Sequence, residues 1–166
     1  MLKTIEEKIY TVEDLAEKTI ELKKLGEKIV FTNGCFDIIH TGHTQYLYEA
    51  RKAGDALIVA VNSDFSVRSL KGENRPINPI AERMIVLASL FFVDYVVPFE
   101  ELDPYKIISK LKPDILIKGG DWPLDKIIGR DIVENNGGKV FTIPEIPGQS
   151  TTGTIQKILN LHIKKS

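Results

Sequence analysis

The sequence predicts an α/β protein whose five strands form one doubly wound parallel sheet. The apolar runs are short and nearly continuous, as in "ALIVAVNS" at 56–63, which is typical of parallel strands covered by helices on both faces. Segments with helical spacing of apolar residues alternate with these runs, and Gly, Pro, Asn and Ser stand at the junctions. This alternation implies right-handed crossovers, which place ligands at the carboxyl ends of the strands.

The first half of the chain is predicted to begin with a helix. Thr11 and Asp14 form a capping-box pattern, apolar residues recur at helical spacing through Leu22 and Leu25, and Gly26 can end the helix. The elements that follow are the strand "KIVFTNG" at 28–34, a helix over 41–53 that ends at Gly54, and the strand "ALIVAVNS".

The second half is predicted to hold three more strands and four helices. The strands are "VDYVVPF" at 93–99, "DILIKGG" at 114–120 and "KVFTI" at 139–143. Each helix has a start or a stop signal. Asn78 and Pro79 begin a helix that runs through Leu90, and Asp103 and Pro104 begin the next. Gly137 and Gly138 end a helix near 129–136, and Ser150 and Thr151 cap the last one, which runs through His162.

Composition limits the function classes. With 166 residues, 43% of them hydrophobic, the chain suits one core, which we divide into an N-terminal helical extension at 1–27 and a domain at 28–166. A net charge of -1 and a pI near 6.3 argue against nucleic acid as a partner. Cys35 is the single cysteine, which suits a reducing compartment. We expect a cytoplasmic protein without a membrane span, because no apolar window is long enough.

The stretch "FDIIHTGHTQYL" at 36–47 joins the first strand to the next helix. A helix start offers unpaired N–H groups to an anion, and Gly34 and Gly42 would let the backbone approach a phosphate. His40 and His43 can project to the same side of the first helical turn and add two directed donors. A surface or core-edge role is the ordinary alternative, and a zinc site would need a third ligand, for which His162 and carboxylates remain. We expect phosphate binding and no protein-held metal.

The chain resembles the cytidylyltransferase-like nucleotidyltransferases, whose signature is a histidine, any residue, glycine and histidine. The resemblance is carried by "TNGCFDIIHTGH", "GDALIVAVNSD", "LKGENRPINPIAERMIVL", "VDYVVPFEE", "PDILIKGGDW" and "STTGTIQKI", which follow in this order, and it extends over 28–159. Within that family the pattern is most similar to the adenylyltransferase domain of ADP-heptose synthases. The resemblance implies a Rossmann-like nucleotidyltransferase domain.

It also implies an activity. The expected reaction transfers AMP from ATP to D-glycero-D-manno-heptose 1-phosphate and gives ADP-heptose and pyrophosphate, with Mg²⁺ brought by ATP and a separate kinase supplying the sugar phosphate. Such intermediates commonly feed lipopolysaccharide and other cell-surface polysaccharides. Two alternatives stay open: a cytidylyltransferase that uses CTP with glycerol 3-phosphate or a similar small phosphate, and a non-catalytic nucleotide-binding sensor. A homodimer is a candidate assembly.

The resemblance assigns roles residue by residue. His40, His43 and the loop lysine Lys71 are expected to be catalytic, and Arg83, with Arg75 as a helper, is expected to hold the acceptor phosphate. The expected nucleotide-binding residues are Asn33, Gly34, Cys35, Phe36, Gly42, Lys118, Gly119, Gly120, Asp121, Ser150, Thr151 and Thr152.

Each assignment has a plainer alternative. Lys71 and Arg83 could be solvated surface residues, "KGGDW" a plain turn, and the Ser-Thr run a simple helix cap. Asp37 could orient a histidine, help to place Mg²⁺ or stabilise the loop. Related cytidylyltransferases carry an arginine shortly before the Ser-Thr run, whereas this chain has "IPEIPGQ" with Glu145. The resemblance therefore assigns no residue to the terminal phosphate and does not carry over cytidine specificity.

Overall fold

The computed structural model describes residues 3–120, 122–144 and 146–163, and its centre is one parallel sheet. The strand order is β3-β2-β1-β4-β5, and every pairing is parallel. The strands are β1 (Ile29–Gly34), β2 (Ala56–Asn62), β3 (Tyr95–Phe99), β4 (Ile115–Gly119) and β5 (Lys139–Ile143). The predicted α/β class and the five strands are confirmed.

The described part of the chain contains seven α-helices. They are α1 (Val12–Lys24), α2 (Thr41–Arg51), α3 (Asp64–Lys71), α4 (Ile80–Ala88), α5 (Tyr105–Leu111), α6 (Arg130–Asn135) and α7 (Thr151–Ile163). Two short 3-10 helices occupy Glu6–Lys8 and Leu124–Lys126. No described helix is long and apolar enough to cross a membrane.

Helix α3 was not predicted from the sequence. It begins directly after β2, where the Ser63 side chain accepts a hydrogen bond from the backbone N–H of Ser66. α3 has only eight residues and buries only Ser66 and Val67, so an apolar pattern has too few turns in which to recur. The prediction that Lys71 lies in a loop is therefore wrong, since Lys71 is the last residue of α3.

The core lies on both faces of the sheet. All seven residues of β2 are buried, as expected of a central parallel strand covered by two helical layers. On one face, α1 contributes Leu15 and Leu22 to the cluster that also contains Ile58 of β2. The segment before α1 continues onto the edge of the sheet, where the backbone N–H of Tyr10 donates to the Val96 carbonyl. The N-terminal extension thus packs against the domain.

The strand order reverses between β1 and β4, and there the pairing is short. β1 pairs with β2 up to Gly34, whereas its pairing with β4 ends where Phe31 meets Leu116. The two strands therefore separate toward their carboxyl ends. A cleft opens at the position where open α/β sheets bind ligands.

Candidate active site

A cavity of ≈ 630 Å³ opens at the carboxyl ends of β1 and β4. Such a volume suits a small-molecule ligand. The predicted site residues that line it are Asn33, Gly34, Cys35, Phe36, His40, Gly42, His43, Lys71, Arg75, Lys118, Gly119, Ser150, Thr151 and Thr152. Segments far apart in the chain thus meet around one space.

Three predicted residues stand apart from this set. Gly120 does not line the cavity; it turns away with φ +96° and donates its N–H to the Ile143 carbonyl. Arg83 does not line it either. Asp121 lies outside the described residues, as does Glu145.

His40 and His43 form a stacked pair at the start of α2. Their ring centroids are 3.8 Å apart with an interplanar angle of 28°. Gly42 is required between them, because a Cβ there would lie 2.9 Å from Nδ1 of His40. The signature glycine therefore lets one imidazole fold over the helix start beside the other.

The His43 imidazole is held neutral in the free protein. Burial, then the neighbouring His40 imidazole, lower its pKa from 6.5 to about 4, against an opposing hydrogen bond with the Ile38 backbone. Its Nδ1 is buried and has no hydrogen-bond partner within the described chain. A bound phosphate oxygen would supply that partner and favour the protonated ring.

The floor of the cavity carries a lysine from β4. Lys118 donates from Nζ to the Asn33 side-chain oxygen across 3.1 Å. Burial lowers the pKa of Lys118, and no described carboxylate pairs with its Nζ. An anion in the cavity would compensate this buried charge.

Asp37 stabilises the loop that follows α3. Its carboxylate is buried and accepts hydrogen bonds from Nε of Arg75 and from the backbone N–H groups of Ile77 and Asn78. Burial alone would raise the pKa of Asp37, but the two backbone hydrogen bonds and Arg75 lower it overall. Of the three roles considered for Asp37, the described contacts fit loop stabilisation.

The prediction that Arg83 binds substrate is contradicted by its contacts. Arg83 is 1% exposed, and its side-chain donors go to protein oxygens. Nε donates to the Asn78 carbonyl, and the terminal nitrogens donate to Cys35, Asn62 and Asp64. Arg83 therefore ties the loop after β1 to the end of β2, and its guanidinium is hydrogen-bonded to the protein in the absence of a ligand.

The Ser-Thr run combines two of the expected roles. The Ser150 hydroxyl accepts from the Gly153 N–H and so caps α7, and Ser150 also lines the cavity. Thr151 Oγ1 donates to the Ile38 carbonyl at 3.4 Å, which places α7 next to the histidine loop. The helix start thus lies at the cavity, where an anion is favoured.

Several cavity residues were not predicted. Tyr46 lies three residues after His43 on α2, and this helical spacing could have indicated it. Trp122, the single tryptophan, follows the quoted glycine pair. The apolar part of the wall has no sequence motif and comes from Leu70, Leu102, Pro104, Leu116, Ile127, Ile128, Ile143, Pro144 and Ile146.

Within the described residues, no group of three or more His, Cys, Asp or Glu side chains could hold a metal ion. The Asp37 carboxylate is already engaged by three donors. The described side chains therefore do not form a magnesium site of their own. The Cys35 thiol lines the cavity, and burial raises its pKa, so it stays protonated.

Comparison with known proteins gives one family and a group of long relatives. The family described as "Cytidylyltransferase-like" matches residues 31–160. "Bifunctional protein HldE" of Haemophilus ducreyi is 54% identical over 150 residues, which are 90% of this chain and 32% of that protein. The protein of the same name from Salmonella arizonae is 51% identical over 90% of this chain and 31% of its own length. The chain thus spans about a third of the length of these relatives.

Two solved structures are also similar. The lipopolysaccharide core biosynthesis protein from Thermoplasma volcanium is 31% identical with a TM-score of 0.58, over 73% of this chain and 98% of that one. The pantoate-beta-alanine ligase of Francisella tularensis, solved with beta-gamma ATP and beta-alanine, has a TM-score of 0.61 and covers 92% of this chain and 78% of its own. At 17% identity, the ligase shows likeness of fold alone.

Proposed function

The chain belongs to the cytidylyltransferase-like family, and on that premise we propose that it transfers AMP from ATP to D-glycero-D-manno-heptose 1-phosphate, giving ADP-heptose and pyrophosphate. The observation that carries the proposal is the cavity itself, in which the stacked histidines lie with Lys71 and Lys118 at the carboxyl edge of the sheet. These groups suit a triphosphate. The sequence identity with HldE proteins and the resemblance to ADP-heptose synthases support the heptose acceptor.

The proposed reaction is a single in-line displacement. A phosphate oxygen of the sugar 1-phosphate attacks the α-phosphorus of ATP, a new P–O bond forms, and the bond to the bridging oxygen of pyrophosphate breaks. No covalent enzyme intermediate is needed, so catalysis rests on positioning and on neutralising charge. His40 and His43 donate to the phosphate oxygens, where negative charge accumulates in the transition state, and Lys71 and Lys118 add positive charge.

Arg75 replaces Arg83 in the proposed acceptor site. Arg75 lines the cavity, and its described hydrogen bond to Asp37 uses Nε alone. That bond fixes the guanidinium while its terminal nitrogens keep their donors for the sugar phosphate. Arg83 acts indirectly in this proposal, because it holds the loop from which the phosphate-binding residues project.

The proposed nucleotide is ATP, with Mg²⁺ bound to its phosphates. No group of three or more described His, Cys, Asp or Glu side chains could hold the ion, so in this proposal it comes with the nucleotide. The half-exposed Trp122 and neighbouring isoleucines give the cavity an apolar wall suited to a planar base. The nucleotide choice rests on the similarity to HldE proteins, whose sequences match over 90% of this chain.

A matrix of four nucleoside triphosphates against sugar 1-phosphates and glycerol 3-phosphate tests the proposal, with pyrophosphate release as the readout. We expect the highest kcat/KM for ATP with the heptose 1-phosphate. His43→Asn is the reference of reduced activity, and His162→Asn is its matched control, since His162 is exposed near the far end of α7. Efficient transfer from CTP to glycerol 3-phosphate without ADP-heptose formation would overturn the assignment, and nucleotide binding without pyrophosphate release would favour a sensor.

A further inference from the structure

The pairing between β1 and β4 ends before the pairing of either strand with its other neighbour in the sheet. β1 remains paired with β2 as far as Gly34, and β4 remains paired with β5 as far as Gly119. The described pairing between β1 and β4 ends three residues earlier, at Phe31 and Leu116. The ends of β1 and β4 therefore need another connection if the cavity floor is to keep its shape.

Tyr46 of α2 makes that connection. Its hydroxyl hydrogen-bonds with Thr32 Oγ1 on β1 and lies 3.1 Å from the Ile117 carbonyl oxygen on β4. Burial raises the pKa of the Tyr46 hydroxyl, so the group stays protonated. Since the Ile117 carbonyl can only accept, Tyr46 donates its single proton there and accepts from Thr32.

The Tyr46 ring also lies beside Gly119, the last residue of β4. A Cβ at Gly119 would lie 3.4 Å from the Tyr46 ring, which places the ring within van der Waals distance of this residue. Between the two residues that Tyr46 contacts is Lys118, whose Nζ donates to Asn33 on β1. Lys118 is thus flanked on both sides by backbone that Tyr46 fixes.

Tyr46 also couples this strand end to the histidines. It follows His43 by three positions on one helix, so the two side chains lie on neighbouring positions of the same helix surface. α2 therefore carries both imidazoles and, through the Tyr46 hydroxyl, fixes the distance between these imidazoles and Lys118 across the cleft.

We propose that Tyr46 is a positioning residue which holds the carboxyl end of β4 so that the Lys118 ammonium faces the same phosphate group as the histidines. The inference rests on the proposed function for the ligand, a nucleoside triphosphate. A merely structural tyrosine would affect stability and leave the action of Lys118 unchanged.

A double-mutant cycle separates these cases. Tyr46→Phe removes the hydroxyl, Lys118→Met removes the ammonium, and ATP affinity is measured by titration calorimetry for both single variants and the double variant, beside kcat. We expect Tyr46→Phe to weaken ATP binding about tenfold in the otherwise native protein and less than about twofold with Lys118→Met present. Tyr48→Phe is the matched control, because it removes a hydroxyl from the exposed side of the same helix.

The outcomes are distinct. Equal losses of affinity in both backgrounds, or no loss at all, would overturn the positioning role. If Tyr46→Phe does not fold, Thr32→Val removes the other hydroxyl of the bridge and the cycle is repeated with it. A wild-type protein that binds ATP but forms no ADP-sugar would refute the proposed function and leave the affinity cycle to decide this inference. A wild-type protein that does not bind ATP would refute both.

Discussion

Lowering the pH should destabilise the ligand-free protein through His43. In the folded state the pKa of His43 is lowered from 6.5 to about 4, chiefly by burial. Between these two values the unfolded chain binds a proton that the folded chain does not. The contribution to stability is therefore complete above the unfolded pKa and is lost as the pH falls toward the folded one.

The size of this loss follows from the two pKa values. At about pH 5 the difference corresponds to about 2 kcal/mol of unfolding free energy relative to about pH 8. Because His43 is only partly buried, solvent screening reduces this figure, and we expect about 1 kcal/mol. A loss of that size is a measurable fraction of the stability of one domain.

Urea unfolding at about pH 8 and about pH 5 measures the effect. Other groups also titrate over this range, so the informative quantity is the difference between wild type and His43→Asn, which keeps a polar side chain that cannot be protonated there. The variant should lose about 1 kcal/mol less on acidification than wild type. His162→Asn, at an exposed position, should behave as wild type. Identical pH dependence in His43→Asn and wild type would refute the idea that the fold holds this imidazole neutral.

The remaining predictions concern turnover and stability. His43→Asn should lower kcat about a hundredfold, because a lost transition-state donor typically costs about 3 kcal/mol, and near-normal turnover in a steady-state assay would remove His43 from catalysis. Arg75→Lys should raise the KM for the sugar phosphate more than the KM for ATP, because lysine keeps the charge but loses the two-pronged hydrogen bonding of the guanidinium. Equal changes in both KM values would show that Arg75 does not bind the sugar phosphate. Arg83→Lys should lower the melting temperature, because it breaks hydrogen bonds to Cys35 and Asn62. An unchanged melting temperature with an altered KM for the sugar phosphate would show instead that Arg83 binds substrate. Cys35→Ser should stay active, because the buried thiol remains protonated, and a nucleotide trapped on Cys35 by mass spectrometry would contradict a one-step reaction.

The sequence predicted the sheet because each strand is marked by its own pattern. β2 was expected at 56–63 and is found at Ala56–Asn62, since an unbroken apolar run is what burial on both faces requires. Helix α3 escaped prediction for the opposite reason. Phe65 and Leu70 of α3 are exposed, so its apolar residues do not mark a buried face.

The part of the candidate site that the sequence predicted is the part formed by residues close to one another in the chain. The stretch with His40, Gly42 and His43 joins a strand to a helix start, and that junction can be recognised from neighbouring residues. The error on Arg83 has a different origin. Its hydrogen-bond acceptor Cys35 lies 48 positions away, so the sequence does not show that the guanidinium is already occupied.

The free structure divides the charged and polar groups around the cavity into two kinds. Asp37 and Arg83 make their hydrogen bonds to the chain itself, so their interactions exist before a ligand binds. Within the described residues, the Nδ1 of His43 has no hydrogen-bond partner, and the Lys118 ammonium has a hydrogen bond to Asn33 but no carboxylate to balance its charge. Burial lowers the pKa of both groups. Buried polar groups without partners cost stability, and a ligand of opposite charge recovers that cost on binding. The groups left uncompensated are therefore the ones that contact the triphosphate in the proposed reaction, while the satisfied groups fix the loop geometry that brings them together.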